Sequence, residues 1–192
     1  MDFPGFRKVG EISICLKTMN GFAGATSFVL VVLWLIIHEL LFGWKEPELI
    51  DALWWLVGIP VMFALHELLH GVGYVVFGGL AWSEVKFGVN RKAWVLYCNC
   101  LAPVRNAPFV ASAMLPVSVL FPISVFLWMS VPNLLTVSLS AMTLASACGD
   151  LMMTHKMLSQ PNSVYVVEHP SGIGGDLFVR DDAPMGKGSD PQ

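Results

Sequence analysis

Charged residues are scarce in this chain. They make up 13% of its 192 residues, whereas hydrophobic residues make up 55% and the mean hydropathy is +0.66. A soluble domain of this size could not bury so much apolar surface, so we expect a membrane protein whose main surroundings are lipid. The net charge of −3 is too small to indicate an ionic partner, and we expect no nucleic-acid partner.

Four apolar segments are long enough to cross the hydrocarbon core of a bilayer, which takes about 20 helical residues. The first is too long for a signal-peptide core and lacks a small-residue cleavage site after it, so we expect it to be retained. The sequence therefore predicts an all-α membrane bundle of about four transmembrane helices. The predicted spans are Phe22–Phe42, Leu53–Phe77, Phe109–Val131 and Leu134–Leu158.

The basic residues predict the orientation of these spans. Lys45 is alone in one set of loops, and the other basic residues lie in the opposite set. By the positive-inside rule both termini and the loop 78–108 are cytoplasmic, which predicts a multi-pass protein of the cell membrane. The four cysteines then lie in the cytoplasm or the membrane, where free thiols are expected. They are Cys15, Cys98, Cys100 and Cys148.

An HExxH motif, His66-Glu67-Leu68-Leu69-His70, lies inside the second predicted span. Residues four apart share one face of a helix, so His66 and His70 can bind one metal ion together. Glu67 projects beside them, where it could take a proton from a water molecule that the metal activates. Ionisable groups are costly at this depth in a membrane, which indicates a function.

A catalytic zinc site usually takes three protein ligands, so a third is expected. Spans two and four both enter from outside, and they reach the histidine pair and Asp150 after similar lengths of helix. This predicts one zinc ion bound by His66, His70 and Asp150. Gly149 is expected to leave room for the metal, and small neighbours to let the helices approach closely. His155 is a weaker alternative, since it lies round the helix and deeper.

The first span carries a partial copy of the motif, His38-Glu39-Leu40-Leu41-Phe42. The second histidine is replaced by Phe42, and the opposite direction of this span puts His38 near the outer face. We therefore expect His38 and Glu39 to have a structural role.

Apolar residues alternate with polar ones or are enriched in several of the remaining segments, and this pattern predicts short strands. Residues 84–89 and 93–97 form a cytoplasmic β-hairpin around a turn at 90–92, and 164–167 and 177–179 form C-terminal strands. The predicted organisation is a membrane-embedded metallopeptidase-like domain over residues 1–160, a short cytoplasmic β-like tail over 161–180, and a disordered tail over 181–192.

In this ordered set of features the chain resembles the site-2-protease-like intramembrane zinc metalloproteases, and most closely a small family of multi-pass zincin peptidases. The resemblance runs from about Leu53 to Val179 and implies zinc held by two histidines and an aspartate, with Glu67 as general base. The matching elements are His66–Gly71, Val85–Gly88, Leu101–Pro103, Gly149-Asp150 and Glu168–Ser171 followed by Gly174.

Three functions fit a membrane metal site of this kind. The favoured one is a zinc metalloendopeptidase that cleaves a membrane-protein or peptide substrate, which could bind by adding a strand to the hairpin. The alternatives are a non-catalytic metal-binding or regulatory membrane protein and, less favoured, a metal transporter. Glu67 discriminates among them, because hydrolysis needs a carboxylate that does not itself bind the metal.

Overall fold

A computed structural model of the protein describes residues 3–13, 16–44, 46, 49–90, 95–169 and 174–181. Its main elements are four helices, each long and apolar enough to cross a membrane, which confirms the predicted number of spans. The helices are α1 (Leu16–Phe42), α2 (Leu49–Val76), α3 (Asn106–Ser130) and α4 (Leu134–Leu158).

The helix ends follow from local chemistry. The bounds of α4 are those predicted. Its start is fixed by Asn133, whose side chain accepts a hydrogen bond from the Thr136 backbone N–H (2.9 Å) and caps the first turn. The helices α1 and α2 begin before the apolar runs that revealed them, at Leu16 and Leu49. Hydropathy marks the part of a helix that fits the hydrocarbon core, and it gives no signal for the turns beyond it.

The helices pack in the order α1, α4, α3, α2, and α2 also contacts α4. Small residues permit these contacts. A side chain at Gly73 of α2 would lie 2.7 Å from the Cα atom of Ser112 in α3, so only glycine allows this approach. The Trp34 indole of α1 donates a hydrogen bond to the buried Ser140 hydroxyl of α4 (3.0 Å). These contacts fix α2 against α3 and α1 against α4.

Two antiparallel sheets accompany the helices, which confirms the predicted hairpin and C-terminal strands. The hairpin pairs β2 with β3, and the second sheet has the order β1-β6-β5-β4. The sequence did not reveal β1 or β4: β1 alternates charged and apolar residues at a sheet edge, and β4 has only two residues. The strands are β1 (Phe6–Ser13), β2 (Val85–Asn90), β3 (Val95–Cys100), β4 (Val104–Arg105), β5 (Tyr165–Glu168) and β6 (Gly174–Arg180).

One apolar core joins the sheets to the helices. It contains side chains from α2, α3, α4 and every strand pair, among them Tyr74, Phe109, Met157, Cys100 and Val166. All five are almost completely buried. The sheets are therefore fixed against the helix ends, and the hairpin is held next to the helix that carries the two histidines.

The described part of the chain tests some of the remaining predictions and leaves others untested. Cys98, Cys100 and Cys148 are free and buried, as predicted, whereas Cys15 lies outside the described residues. The hairpin turn and residues 182–192 also lie outside them. The division into domains and the cytoplasmic location of both termini stay predictions.

Asn106 provides a test of how the helix ends are joined. Its buried side-chain amide donates to the carbonyls of Met157 and Gln160, both at 2.9 Å, and so links the start of α3 to the end of α4. Asn106→Ala removes both of these hydrogen bonds and should lower the free energy of unfolding by about 1–3 kcal/mol. Denaturation in detergent micelles measures the change. Ser130→Ala, which removes an exposed hydroxyl at the other end of α3, is the control, and equal stability of the two variants would contradict the assignment.

Candidate metal centre

The two histidines of the HExxH motif lie one turn apart on the face of α2 that meets α4. Both are buried, with 4% of His66 and 7% of His70 exposed. Their Nε2 atoms are 3.2 Å apart and the rings are nearly perpendicular. The spacing of four residues therefore produces the convergence that the sequence predicted.

Asp150 reaches the same point from α4. Its Oδ2 lies 3.1 Å from Nε2 of His66, and its Oδ1 lies 3.3 Å from Nε2 of His70. The three side chains form a group that could hold a metal ion, with ligand atoms within 4.8 Å of one another. The structure thus brings together the three residues proposed as ligands from topology.

These separations fit a zinc ion. Two ligands at about 2.0–2.1 Å from a tetrahedral zinc are about 3.3 Å apart, close to the measured distances. Asp150 Oδ2 is also buried without a hydrogen-bond partner, because its 3.1 Å approach to His66 lacks the geometry of a hydrogen bond. A buried carboxylate oxygen left unpaired is costly, and a cation at the centre of the group would satisfy it.

Hydrogen bonds on the far side of each ring leave Nε2 available. Nδ1 of His70 lies 3.2 Å from the backbone carbonyl of Ser112, which can only accept, so Nδ1 carries the proton. Nδ1 of His66 lies 3.3 Å from the Ser146 hydroxyl, whose hydrogen is donated to the Thr143 carbonyl (2.9 Å). With the proton at Nδ1, a neutral ring has an unprotonated Nε2, as a metal ligand must have.

Glu67 lies beside this group without belonging to it. Its side chain is half-buried and interacts electrostatically with His66, His70 and Asp150. The next turn of the helix is covered by the hairpin, since a side chain at Gly71 would lie 2.5 Å from the Phe87 ring. The carboxylate therefore lies between the metal ligands and the hairpin.

A second carboxylate, Glu168, joins three elements next to the centre. Its Oε2 accepts hydrogen bonds from the Tyr74 hydroxyl (2.8 Å) and from the Cys100 backbone N–H (2.9 Å). Burial raises the pKa of Glu168, while these two bonds and the nearby His70 oppose the rise. Sequence reasoning placed this glutamate in a matching motif but gave it no role. The signal that the sequence offered was Tyr74, the hydrogen-bond partner of Glu168, which follows His70 by one helical turn.

Among the described strands β3 pairs only with β2, so its other edge carries no strand in the part of the chain that the structure describes. Leu101 N–H donates to the opposite Glu84 carbonyl (2.8 Å), so in this antiparallel register Cys98 and Cys100 belong to non-hydrogen-bonded pairs. Their backbone N–H and C=O groups therefore point away from β2. Glu168 accepts the N–H of Cys100, and the Cys98 thiol is close enough to Glu67 to interact with it electrostatically.

The thiols themselves remain protonated. Burial raises the pKa of Cys98 and of Cys100 far above the usual range, and the nearby Glu168 raises both further. Neutral thiols are poor metal ligands and poor nucleophiles. The carboxylates and imidazoles are therefore the reactive groups at this end of the protein.

Other polar residues lie elsewhere or are occupied. His38 accepts a hydrogen bond from the Trp128 indole (2.9 Å) away from the centre, and His155 is exposed. The Asn99 amide donates to the His169 carbonyl (2.7 Å). A side chain at Gly149 would meet nothing within 4 Å, and the expected use of this space by a metal stays a prediction.

A second group with metal-binding atoms is formed by Glu11, His169 and Asp176. It is more exposed than the first, and Asp176 is already paired with Lys8 (2.6 Å) and with His169 (3.0 Å). These two partners hold the pKa of Asp176 below its usual value. An ammonium group at this position competes with a cation, so the group is better described as an ion-pair cluster.

The family model described as "Putative zincin peptidase" matches residues 59–165, more than half of the chain. The chain belongs to this family. The matched region contains the HExxH motif and Asp150, and the predicted resemblance to zincin peptidases is confirmed at this level. Zinc is the metal that membership of the zincin peptidase family implies. No curated protein and no solved structure matches the chain.

Removing one ligand tests the zincin centre directly. Asp150→Asn replaces the anionic ligand with a neutral amide of the same size, and zinc affinity should fall by at least about tenfold, because the site loses its only ligand charge. Metal analysis of the purified protein after dialysis against a zinc buffer measures the bound fraction. Asp176→Asn makes the same change in the ion-pair cluster and should keep the wild-type zinc content. A loss of zinc in Asp176→Asn alone would place the metal in the other group.

Proposed function

We propose that this protein is a zinc-dependent intramembrane metallopeptidase, similar to the site-2 proteases, that hydrolyses peptide bonds of membrane-associated substrates. The observation that carries the proposal is the position of Glu67, a carboxylate next to three converging ligand atoms that does not belong to them. A metal site for storage or transport has no need of such a group, whereas hydrolysis has. Membership of the zincin peptidase family supports the same reaction.

The three ligands and the base have separate tasks. His66, His70 and Asp150 would hold a zinc ion, the two histidines from α2 and the aspartate from α4. When bound, zinc supplies Lewis acidity, which makes a water molecule more acidic and a peptide carbonyl more electrophilic. Glu67 takes the proton of the attacking water on its carboxylate and then delivers it to the leaving amine nitrogen.

The ligands belong to helices that are long enough to cross a membrane, which supports an intramembrane reaction. His66 and Asp150 lie at similar fractions of the lengths of α2 and α4. Water must therefore reach them from the end of the bundle where the sheets lie. The excess of basic residues in the loops at that end supports a cytoplasmic location, with a multi-pass protein in the cell membrane.

An extended substrate segment could bind along the edge of β3. A transmembrane helix hides its peptide groups in its own hydrogen bonds, so it must unwind before hydrolysis, and strand addition stabilises the unwound form. Among the described residues none hydrogen-bonds the outward N–H and C=O groups of Cys98, which lie near Glu67 and would serve this pairing. Pairing would stop at Cys100, whose N–H is bound by Glu168.

Glu67→Gln tests the proposed base. The amide keeps the size of the side chain but cannot take a proton, so cleavage should fall at least about 100-fold while the zinc content stays unchanged. Digestion of β-casein by the detergent-solubilised protein, followed by gel analysis, measures the rate. Glu39→Gln changes the corresponding glutamate of the partial copy in α1 and should retain activity. Zinc-loaded wild type without any cleavage that depends on Glu67 would favour the non-catalytic alternative.

Cys98→Pro tests the proposed strand addition. Proline removes the outward N–H but leaves the β2–β3 ladder intact, because this N–H does not take part in the ladder. Compared with Cys98→Ala, which loses the thiol and keeps the N–H, the proline variant should raise KM for β-casein several-fold, since one hydrogen bond contributes about 0.5–1.5 kcal/mol. Steady-state kinetics with the two variants measure the difference. Equal KM values would exclude pairing at this position.

A further inference from the structure

Pro116 lies inside α3 and explains why the Ser112 carbonyl is free to accept a hydrogen bond from His70. In an α-helix the N–H of residue 116 would bond to the carbonyl of residue 112. Position 116 is proline, which has no N–H and whose ring pushes the preceding-turn carbonyl outwards. The Ser112 carbonyl is therefore left without its helical donor in a segment where an unpaired carbonyl is costly.

The donor that replaces the missing N–H is the ring of His70. Its Nδ1 lies 3.2 Å from the Ser112 oxygen, and both residues are buried. Gly73, three residues after His70, allows the approach, because any side chain there would collide with Ser112. A freed carbonyl and a close helix contact therefore coincide at one point beside the metal ligands.

We infer that Pro116 is a positioning residue for the metal centre: by freeing the Ser112 carbonyl it fixes the tautomer and the ring orientation of His70. With its proton held at Nδ1, the imidazole presents the lone pair of Nε2 towards Asp150 and His66, where the zinc is proposed to bind. The inference rests on the proposed metal centre. It does not require that the protein cleave peptides.

The same helix supplies a matched control. Pro122 also lies inside α3 and also removes an N–H, but the carbonyl it frees belongs to Ser118, which is exposed and away from the centre. Replacing either proline restores one backbone donor to α3. Only the donor at position 116 competes with His70 for its acceptor.

The test measures zinc affinity by competition with a chromophoric chelator for full-length protein in detergent micelles. Pro116→Ala and Pro116→Val both restore the N–H, but valine retains most of the volume of the buried ring. Both should weaken zinc binding about 10–100-fold, the usual effect of losing a partner that orients a metal-binding histidine. Pro122→Ala should keep the wild-type affinity. Thermal unfolding without zinc should show that the variants are folded.

The outcomes separate the explanations. Weaker binding in both variants at position 116, together with loss of the Nδ1–H tautomer of His70 in ¹⁵N spectra of the zinc-free protein, supports the inference. Unchanged affinity in both overturns it, and weaker binding in the alanine variant alone assigns the effect to a packing void and also overturns it. Wild type that binds zinc without peptidase activity would contradict the proposed function and leave the role of Pro116 intact.

Discussion

Three ligand atoms of this protein point at one another from two helices, and the rest of the structure holds them there. The two imidazole Nε2 atoms are 3.2 Å apart, and each lies within 3.3 Å of one oxygen of the Asp150 carboxylate. When both rings are neutral and unprotonated at Nε2, such an arrangement is repulsive without a cation, and burial in an apolar bundle makes the repulsion stronger. The arrangement therefore has a cost for which a bound metal is the direct compensation.

The packing of the bundle follows from this requirement. α2 contacts α4 through the ligand side chains and α3 through a bare backbone, and the residues at the α2–α3 contact are small: Gly73 and Ser112. Each histidine is then held from behind by a neighbouring helix, His70 by α3 and His66 by Ser146 of α4. Rings that are already held in place lose little conformational freedom when a metal binds, which favours binding.

The sequence was sufficient for the parts of this arrangement that follow from length and direction. Helix spans follow from apolar runs, and Asp150 was placed with the histidine pair because spans two and four run the same way. The sequence was insufficient where a residue of the site is held by a backbone group or by a common side chain. Pro116 indicated that a carbonyl is freed, but only the packing of α3 on α2 identifies His70 as the group that uses it. The strand β1 was hidden because its charges, carried by Arg7, Lys8 and Glu11, obscure the apolar alternation.

The two glutamates near the centre have the same chemistry and different surroundings, which separates their roles in the proposed reaction. Oε2 of Glu168 accepts two hydrogen bonds from different elements, so a change in its protonation would disturb the contact of β3, β5 and α2. Glu67 is half-buried at the start of the turn that carries His70, and no hydrogen bond to it is seen among the described residues, so a change in its protonation breaks no such link there. A base that must gain and lose a proton in each cycle needs this independence. One carboxylate therefore suits proton transfer, and the other fixes the strand edge beside which the transfer would occur.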